Sequence, residues 1–339
     1  METTSSIRAV DYHAGGEPFR IVTDVPGIAG ASVADKRVTA VSDPEIDGLR
    51  ALLCSEPRGH ADMYGGFIVA PDDAGAHFGV LFWHKDGFST ACGHGTIALG
   101  AWAVRSGRVP ADPGGITDVV IDVPSGRVRA RVITDGDRVV SVDFVSVPSY
   151  VLHEAVTVPT SRGEVRCVIS FGGAIYAHVP ASAVGLDLSV ASLPRLIDLS
   201  REIKAHLNPT GFAAHPLDER LSGIYGVIYF EDEGTGPDGA LRQRNITVFA
   251  DGEVDRSPCG SGTCSRVAAL HSSGSLKDGQ ALAHTSISGA TWLARVQANT
   301  RAAGRAAVLP VVTGRAYPTG EHLLVVDPDD DMLPGFVLR

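Results

Sequence analysis

The sequence predicts a mixed α/β protein built from two similar domains. Its 339 residues are more than a single hydrophobic core usually supports, so two domains are expected. Segments rich in Val, Ile and aromatic residues outnumber the helical segments. A short motif, Cys-Gly-x-Gly-Thr, occurs at 92–96 and again at 259–263. Two copies of one motif in a chain of this length indicate a divergent duplication with one copy in each domain.

Strands are predicted where Val, Ile and aromatic residues cluster between Gly, Pro and Asp. The predicted strands are 7–13, 65–71, 77–84, 118–124, 139–148, 166–172, 223–232 and 245–250. Exposed segments are predicted at 231–245, as a loop between two strands, and at 327–335, as an acidic turn. The strands are too numerous and the helices too few for a doubly wound parallel sheet.

Four segments have helical patterns. Residues 43–54 begin at an aspartate and carry apolar residues at spacings of three and four, and residues 192–207 place leucines and isoleucines on one face. Residues 95–107 and 262–274 each begin at a Gly-Thr pair and end near a glycine. Each copy of the motif therefore lies at the start of a predicted helix.

Composition and charge narrow the classes of function. A net charge of −10 at pH 7 argues against nucleic acids and acidic membranes as partners. No apolar run approaches the roughly 18 residues of a membrane-spanning helix, and the first residues do not resemble a signal peptide. Five cysteines without a secretion signal suit a reducing compartment. We expect a cytoplasmic protein, a monomer or a homodimer, that acts on a small molecule.

The repeated motif combines an anion site with an ionisable thiol. Glycines beside the cysteine let backbone amides approach a ligand with no Cβ in the way. The first amides of a helix lack partners within the helix and lie at the positive end of its dipole, so they bind anions. The same position stabilises a thiolate over a thiol. Each copy can therefore hold a carboxylate and supply a cysteine for proton transfer.

Two such copies suit inversion of an α-carbon, with Cys92 and Cys259 as the predicted pair. One thiolate removes the α-proton and a thiol on the opposite face returns one. Amides directed at the substrate carboxylate stabilise the charge that develops there. The reaction requires no metal, pyridoxal phosphate or nicotinamide, so no cofactor is expected.

Other functions explain less of the pattern. Neither copy completes the dinucleotide or Walker phosphate loop, and the cysteine spacing does not fit a zinc site. A metal cluster of His13, His60, His84 and His94 lacks the usual ligand spacing. A cysteine hydrolase would need one thiol with a histidine, which leaves the duplication unexplained. A non-catalytic amino-acid-binding protein could use the amides but needs neither thiol. Cys54 and Cys167 are expected to be inert core residues.

Longer segments around the motif carry a family resemblance. The segments are DYHAGGEPFRIV (11–22), EPRGHADMYGG (56–66), GVLFWHKDGFSTACGHGTIALG (79–100), SFGGAIYAHV (170–179), DRSPCGSGT (255–263) and DPDDDMLPGFVL (327–338). Together they resemble the proline racemase family, which contains proline racemases, 4-hydroxyproline 2-epimerases and trans-3-hydroxyproline dehydratases. The likeness extends over essentially the whole chain.

This resemblance implies a diaminopimelate-epimerase-like α/β (α+β) fold. In that fold two domains related by a pseudo-twofold axis each wrap strands about a central helix. The first domain is expected at 1–130 with 313–339 and carries Cys92. The second is expected at 131–312 and carries Cys259, with the active site in the cleft between the domains.

The resemblance also implies roles for individual residues. Cys92 and Cys259 would be the acid and base. The substrate carboxylate would be held by the backbone amides of Gly93, His94, Gly260 and Ser261. Asp255 would pair with the ring ammonium, although an aspartate before Ser-Pro can also simply cap a turn. Tyr64, Ser89 and Phe249 are expected to line the pocket, and each would otherwise be an ordinary core or loop residue.

Two sequence signals point to different members of the family. The segments around 56–66 and 87–94 resemble the dehydratases, but that branch typically carries Thr where this chain has Cys259. A second thiol can reprotonate the α-carbon from behind, and Ser89 suggests a hydroxylated ring. We therefore predict a hydroxyproline 2-epimerase, with proline as a further substrate. The alternative is a trans-3-hydroxy-L-proline dehydratase that forms pyrroline-2-carboxylate.

Overall fold

The computed structural model describes residues 5–338. The chain divides into two compact units. The first runs to Val142 and resumes at Arg315, and the second is Asp143–Gly314. Within the described residues, every helix is too short or too polar to cross a membrane.

Strands outnumber helices in both units. In chain order they are β1 (Ser5–Ala14), β2 (Glu17–Val22), β3 (Tyr64–Val69), β4 (Phe78–His84), β5 (Gly87–Phe88), β6 (Ile116–Val123), β7 (Gly126–Asp135), β8 (Arg138–Val145), β9 (Tyr150–Thr160), β10 (Gly163–Phe171), β11 (Ile175–Pro180), β12 (Ile224–Thr235), β13 (Leu241–Phe249), β14 (Glu253–Val254), β15 (Leu282–Thr285), β16 (Thr291–Ala302), β17 (Arg305–Gly314) and β18 (Ala316–Val326). The α-helices are α1 (Val33–Ser42), α2 (Pro44–Cys54), α3 (Gly93–Arg105), α4 (Ala181–Val184), α5 (Leu193–Leu207) and α6 (Gly260–Ser272). Short 3₁₀ turns occupy Val190–Ser192, Gly211–Ala213 and Glu219–Leu221.

The two units pair their strands in the same order. In the first, β18, β1 and β2 are antiparallel neighbours, β2–β3 is parallel, β3–β4 antiparallel, β4–β6 parallel and β6–β7 antiparallel. In the second, β9, β10 and β11 are antiparallel, β11–β12 is parallel, β12–β13 antiparallel, β13–β15 parallel and β15–β16 antiparallel. This repetition agrees with the predicted duplication.

Each unit contains one helix that is buried on nearly every side. All residues are buried from Gly93 to Ala103 in α3 and from Gly260 to Leu270 in α6. Strands β1, β2, β6, β7 and β18 contact α3, and β9, β10, β11, β16 and β17 contact α6. Strands enclose both helices, so even the polar residues of α6 are buried. The predicted central helices are confirmed, and each begins immediately after a motif cysteine.

The predicted exposed loop at 231–245 is wrong over most of its length. Strand β12 continues to Thr235 and β13 begins at Leu241, which leaves only 236–240 as the loop. The charged residues that suggested a loop lie opposite one another on the two strands. Glu231 is the register partner of Arg244, whose Nε also lies 3.3 Å from an oxygen of Glu233. Such cross-strand pairs are typical of an exposed antiparallel face.

Candidate active site

Cys92 is the N-cap residue of α3, and its sulfur is held by the first turn. Its backbone is extended, and its Sγ accepts a hydrogen bond from the Gly95 amide at 3.2 Å. Thr96 donates from its backbone and its hydroxyl to the Cys92 carbonyl, at 3.0 and 2.7 Å. A Cβ at Gly95 would lie 2.8 Å from Sγ and 2.4 Å from the Phe19 ring. Glycine at 95 therefore makes room for the thiol.

Three residues predicted for the site form a series of contacts that begins at this thiol. A ring nitrogen of His94 lies 3.5 Å from Cys92 Sγ. The Tyr64 ring meets the His94 ring edge-on at 4.8 Å, and the Tyr64 hydroxyl hydrogen-bonds to the Ser89 hydroxyl. Burial lowers the pKa of His94 to about 3, so its imidazole is neutral at pH 7. The first unit thus gathers a thiol, a neutral imidazole and a hydroxyl pair at one place.

Cys259 is the N-cap residue of α6, but its backbone differs from that of Cys92. Its φ is 66° and its ψ 99°, a positive φ that non-glycine residues rarely adopt. The backbone bond of the first turn is retained, because the Thr263 amide donates to the Cys259 carbonyl at 2.7 Å, but the Thr263 hydroxyl donates to the Pro258 carbonyl instead. A Cβ at Gly262 would lie 2.8 Å from Cys259 Sγ, as at Gly95. The two copies share their packing and differ in the turn that enters the helix.

Asp255 organises the turn before Cys259. Its carboxylate accepts from the Ser257 amide at 2.8 Å and the Ser257 hydroxyl at 2.7 Å, and the Ser257 oxygen accepts from the Cys259 amide at 3.1 Å. The turn-capping role left open by the sequence is therefore present. Burial raises the pKa of Asp255 to about 6, and the hydrogen bonds from the Ser257 hydroxyl and amide act in the opposite direction. The carboxyl group lies close enough for its negative charge to act on the Cys259 thiol.

The electrostatics at Cys259 differ from what a helix N-terminus alone predicts. Burial raises the pKa of this thiol, and the negative charge of Asp255 raises it further. Hydrogen bonds from the Gly262 amide and the Tyr176 hydroxyl lower it without reversing the direction. The sequence argument, that the helix end favours a thiolate, omits burial and the nearby carboxylate. Cys259 is held as a thiol.

Sequence reasoning missed two residues beside the thiols, Phe19 and Tyr176. The Phe19 ring meets the His94 ring at 5.9 Å, and the Tyr176 hydroxyl lies 2.7 Å from Ser261 Oγ and 3.8 Å from Cys259 Sγ. A signal was present, because each residue is the fifth of a segment that begins Gly-Gly, at 15–19 and at 172–176. Their contacts join separate strands and helices, which a local pattern does not reveal.

Phe249 belongs to an aromatic group that includes Tyr176. Its ring stacks on Tyr225 at 5.7 Å, and Tyr225 meets Tyr176 edge-on at 5.9 Å. Through Tyr176 this group is connected to the Cys259 thiol.

The other three cysteines are buried, and three of the histidines considered as metal ligands have local hydrogen-bond partners. Cys54, Cys167 and Cys264 are buried, and burial raises the pKa of Cys167 to about 11 and of Cys264 to about 12. The thiols of Cys167 and Cys264 therefore stay protonated at neutral pH, and burial is what was expected of Cys54 and Cys167 as core residues. Three of the histidines considered as metal ligands accept a local backbone hydrogen bond at Nδ1, each 3.2 Å long: His13, His60 and His84. These bonds suit turn capping.

Comparison with known proteins identifies the family of this chain. The proline racemase family model matches residues 9–337. The chain belongs to the proline racemase family. The fold predicted from the resemblance, a diaminopimelate-epimerase-like α/β (α+β) fold, is also confirmed. A hydroxyproline epimerase structure from Agrobacterium vitis, with bound trans-4-hydroxy-L-proline, superposes with a TM-score of 0.90 at 30% identity, over 98% of this chain and 96% of that one.

Relatives of this proline racemase family member carry different activity names. A trans-3-hydroxy-L-proline dehydratase of Bacillus thuringiensis subsp. konkukian is 41% identical over 339 residues. A 3-hydroxyproline 2-epimerase of Burkholderia multivorans is 40% identical over 341 residues. Both alignments cover 100% of each protein. The relatives therefore agree on the family but not on the reaction. The choice between inversion and dehydration depends on the residues of the site.

Proposed function

We propose that this protein is a cofactor-independent hydroxyproline 2-epimerase whose acid and base are Cys92 and Cys259. One observation carries the proposal. Two equivalent helices, enclosed in the same way by two equivalent sets of strands, each have a cysteine as N-cap residue. A one-base reaction needs one such thiol, whereas inversion uses one on each face of the substrate.

In the proposed reaction, the backbone amides of Gly93, His94, Gly260 and Ser261 bind the substrate carboxylate. Asp255 pairs with the ring ammonium. A thiolate takes the α-proton, the C–H electron pair moves into the carboxylate, and the amides stabilise that charge. The thiol on the other face then gives its proton to the α-carbon. The substrate leaves inverted, and the two cysteines have exchanged their protonation states.

The Tyr64–Ser89 pair supports a hydroxylated substrate. The two hydroxyls are hydrogen-bonded to each other and buried in the same unit as Cys92. A buried hydroxyl pair can accept from and donate to a ring hydroxyl, which bare proline lacks. The pair therefore favours 3- or 4-hydroxyproline over proline, with proline turned over more slowly.

Dehydration of trans-3-hydroxy-L-proline is the second candidate, favoured by the 41% identity to a protein of that name. In that reaction Cys92 alone removes the α-proton and the 3-hydroxyl leaves with a proton as water. The product is pyrroline-2-carboxylate. Cys259 has no essential part in this chemistry, and its presence is the reason we place inversion first.

The deciding experiment is NMR in D2O with L-proline, trans-4-hydroxy-L-proline and trans-3-hydroxy-L-proline as separate substrates. We expect α-deuterated epimer from a hydroxyproline. Pyrroline-2-carboxylate from the 3-hydroxy substrate without epimer would replace the proposal by dehydration. Absence of exchange with all three substrates would favour a binding protein without catalysis.

Variants at residue 259 sharpen the same experiment. Cys259→Ser should lower epimerisation by at least about a hundredfold, since an alcohol is a far weaker acid than a thiol. Cys259→Thr should lose at least as much activity, because its branched side chain also strains the turn at the positive φ of this residue. Cys264→Ala removes a buried cysteine from the same helix and serves as the control, with activity close to that of the wild type. Epimerisation that survives in Cys259→Ser would contradict the two-thiol mechanism.

A further inference from the structure

The two halves of the chain differ at one matched position beside the thiols. Segments 15–19 and 172–176 both begin with Gly-Gly, and the second glycine has a positive φ in each, 90° at Gly16 and 95° at Gly173. The turn leads into a strand beside the central helix in both cases. The fifth residue is Phe19 in one segment and Tyr176 in the other.

Contacts with the helix confirm that these positions correspond. Phe19 packs on His94, two residues after Cys92, and Tyr176 hydrogen-bonds to Ser261, two residues after Cys259. The helix residue is thus the same position of the motif in both copies. Only the second copy has a hydroxyl there, and that hydroxyl lies 3.8 Å from the sulfur of Cys259.

The hydroxyls of Tyr176 and Ser261 form a chain that ends at Cys259. When Cys259 is a thiol, its S–H donates to the Tyr176 oxygen and Tyr176 donates to Ser261. When Cys259 is a thiolate, Ser261 donates to Tyr176 and Tyr176 donates to the sulfur. Rotation of the two O–H bonds exchanges these patterns, with no heavy atom moved and no proton transferred along the chain. All three side chains are buried, where an unmatched donor or charge is costly.

We propose that Tyr176 is a positioning residue that allows Cys259 to alternate between thiol and thiolate at a fixed place. The proposal rests on the two-thiol function proposed above, in which Cys259 changes protonation state in every turnover. Tyr176 stays neutral throughout, because burial and the neighbouring Cys259 raise its pKa. Within the second unit the titratable groups that face Cys259 are Asp255 and Tyr176, with Tyr225 packed behind the latter.

Tyr176→Phe tests this role, because it places at 176 the residue that the first half carries at 19. We expect kcat for epimerisation to fall about tenfold with KM changed less than about twofold. The pH midpoint for alkylation of Cys259 by iodoacetamide should rise by about one unit, because the thiolate loses a hydrogen-bond donor. Midpoints are measured without substrate in a Cys92→Ser background, and fragment-ion mass spectrometry separates Cys259 from Cys264.

Tyr229→Phe is the matched control. This buried tyrosine lies in the same unit and donates to the Leu196 carbonyl at 3.2 Å on α5, so its loss should leave the Cys259 midpoint unchanged. Ser261→Ala breaks the chain at its other end and should shift the midpoint in the same direction by a smaller amount. It keeps the test available if Tyr176→Phe folds poorly.

Two results would overturn the proposal: an unchanged midpoint in Tyr176→Phe, or an equal shift in Tyr229→Phe. Failure of the proposed function would give a different set of results. In that case the wild-type protein exchanges no α-deuterium with any of the three substrates, while the alkylation midpoints still report on Tyr176.

Discussion

At the scale of single residues, the buried carboxyl group of Asp255 has the clearest consequence for stability. Its pKa is raised to about 6 by burial, above the ordinary value of about 3.9. The folded protein therefore binds this proton more tightly than the unfolded chain does. Between those two pH values the unfolded chain loses the proton first, so the free energy of unfolding falls as the pH rises.

We predict that Asp255→Asn removes this pH dependence. Relative to the wild type, the variant should gain about 1–3 kcal/mol of unfolding free energy between about pH 4 and about pH 8, measured by urea unfolding at both values. Asp238→Asn is the control, because the Ala240 amide lowers the pKa of that exposed aspartate and its contribution to stability has the opposite pH slope. Equal slopes for wild type and Asp255→Asn would contradict the burial argument.

At the scale of elements, the first turns of α3 and α6 show why glycine stands three residues after each cysteine. A methyl group at 95 would overlap both Cys92 Sγ and the Phe19 ring, and one at 262 would overlap Cys259 Sγ and Ile228. Glycine ordinarily weakens a helix, so its presence here reflects the space that the thiol needs.

Gly95→Ala should therefore destabilise the protein, although alanine is usually more favourable than glycine within a helix. We expect it to lower the unfolding free energy by about 1–3 kcal/mol and to lower the proposed epimerase activity by displacing the sulfur. Gly48→Ala in α2 is the matched control. Nothing lies within 4 Å of a Cβ at Gly48, and alanine there should raise stability by about 0.5–1 kcal/mol. Thermal or urea unfolding of both variants tests the contrast, and equal gains would show that the first turn of α3 has spare room.

The helices also show how far a single sequence predicts this fold. The Cys-Gly-x-Gly-Thr motif located both central helices, because a helix start is encoded by neighbouring residues. Helix α1 was not predicted, although its start carries a local signal. Ser32 and Asp35 form reciprocal hydrogen bonds there, of 3.1 and 3.2 Å. The approach of Tyr176 to Ser261 could not be predicted, because those residues are 85 positions apart and only the packing of β11 on α6 brings them together.

At the scale of the whole molecule, the duplication makes the two thiols chemically distinguishable. Cys92 Sγ accepts an amide hydrogen bond and lies beside a neutral imidazole, whereas burial and a carboxyl group keep Cys259 protonated. In the proposed mechanism each thiol serves one face of the substrate, so each is the base for one stereoisomer.

Variants that keep only one of the two thiols should therefore each catalyse α-proton exchange with a different stereoisomer. In D2O, Cys259→Ser is expected to exchange the α-proton of one stereoisomer for deuterium without inverting the α-carbon. Cys92→Ser is expected to do the same with the opposite stereoisomer. Each should leave the other isomer unlabelled, because its base is absent. Proton NMR of both isomers with both variants gives four measurements. Labelling of the same isomer by both variants would contradict opposite-face action.

The positive φ of Cys259 also constrains how this position can change over evolutionary time. A side chain branched at Cβ, such as threonine, is strained in that conformation, so a lineage that replaced sulfur with a secondary alcohol would also have had to rebuild the turn from Asp255. Serine, whose Cβ is unbranched like that of cysteine, adds no further strain. Replacement of Cys259 is thus limited by the main chain as well as by the chemistry of the side chain.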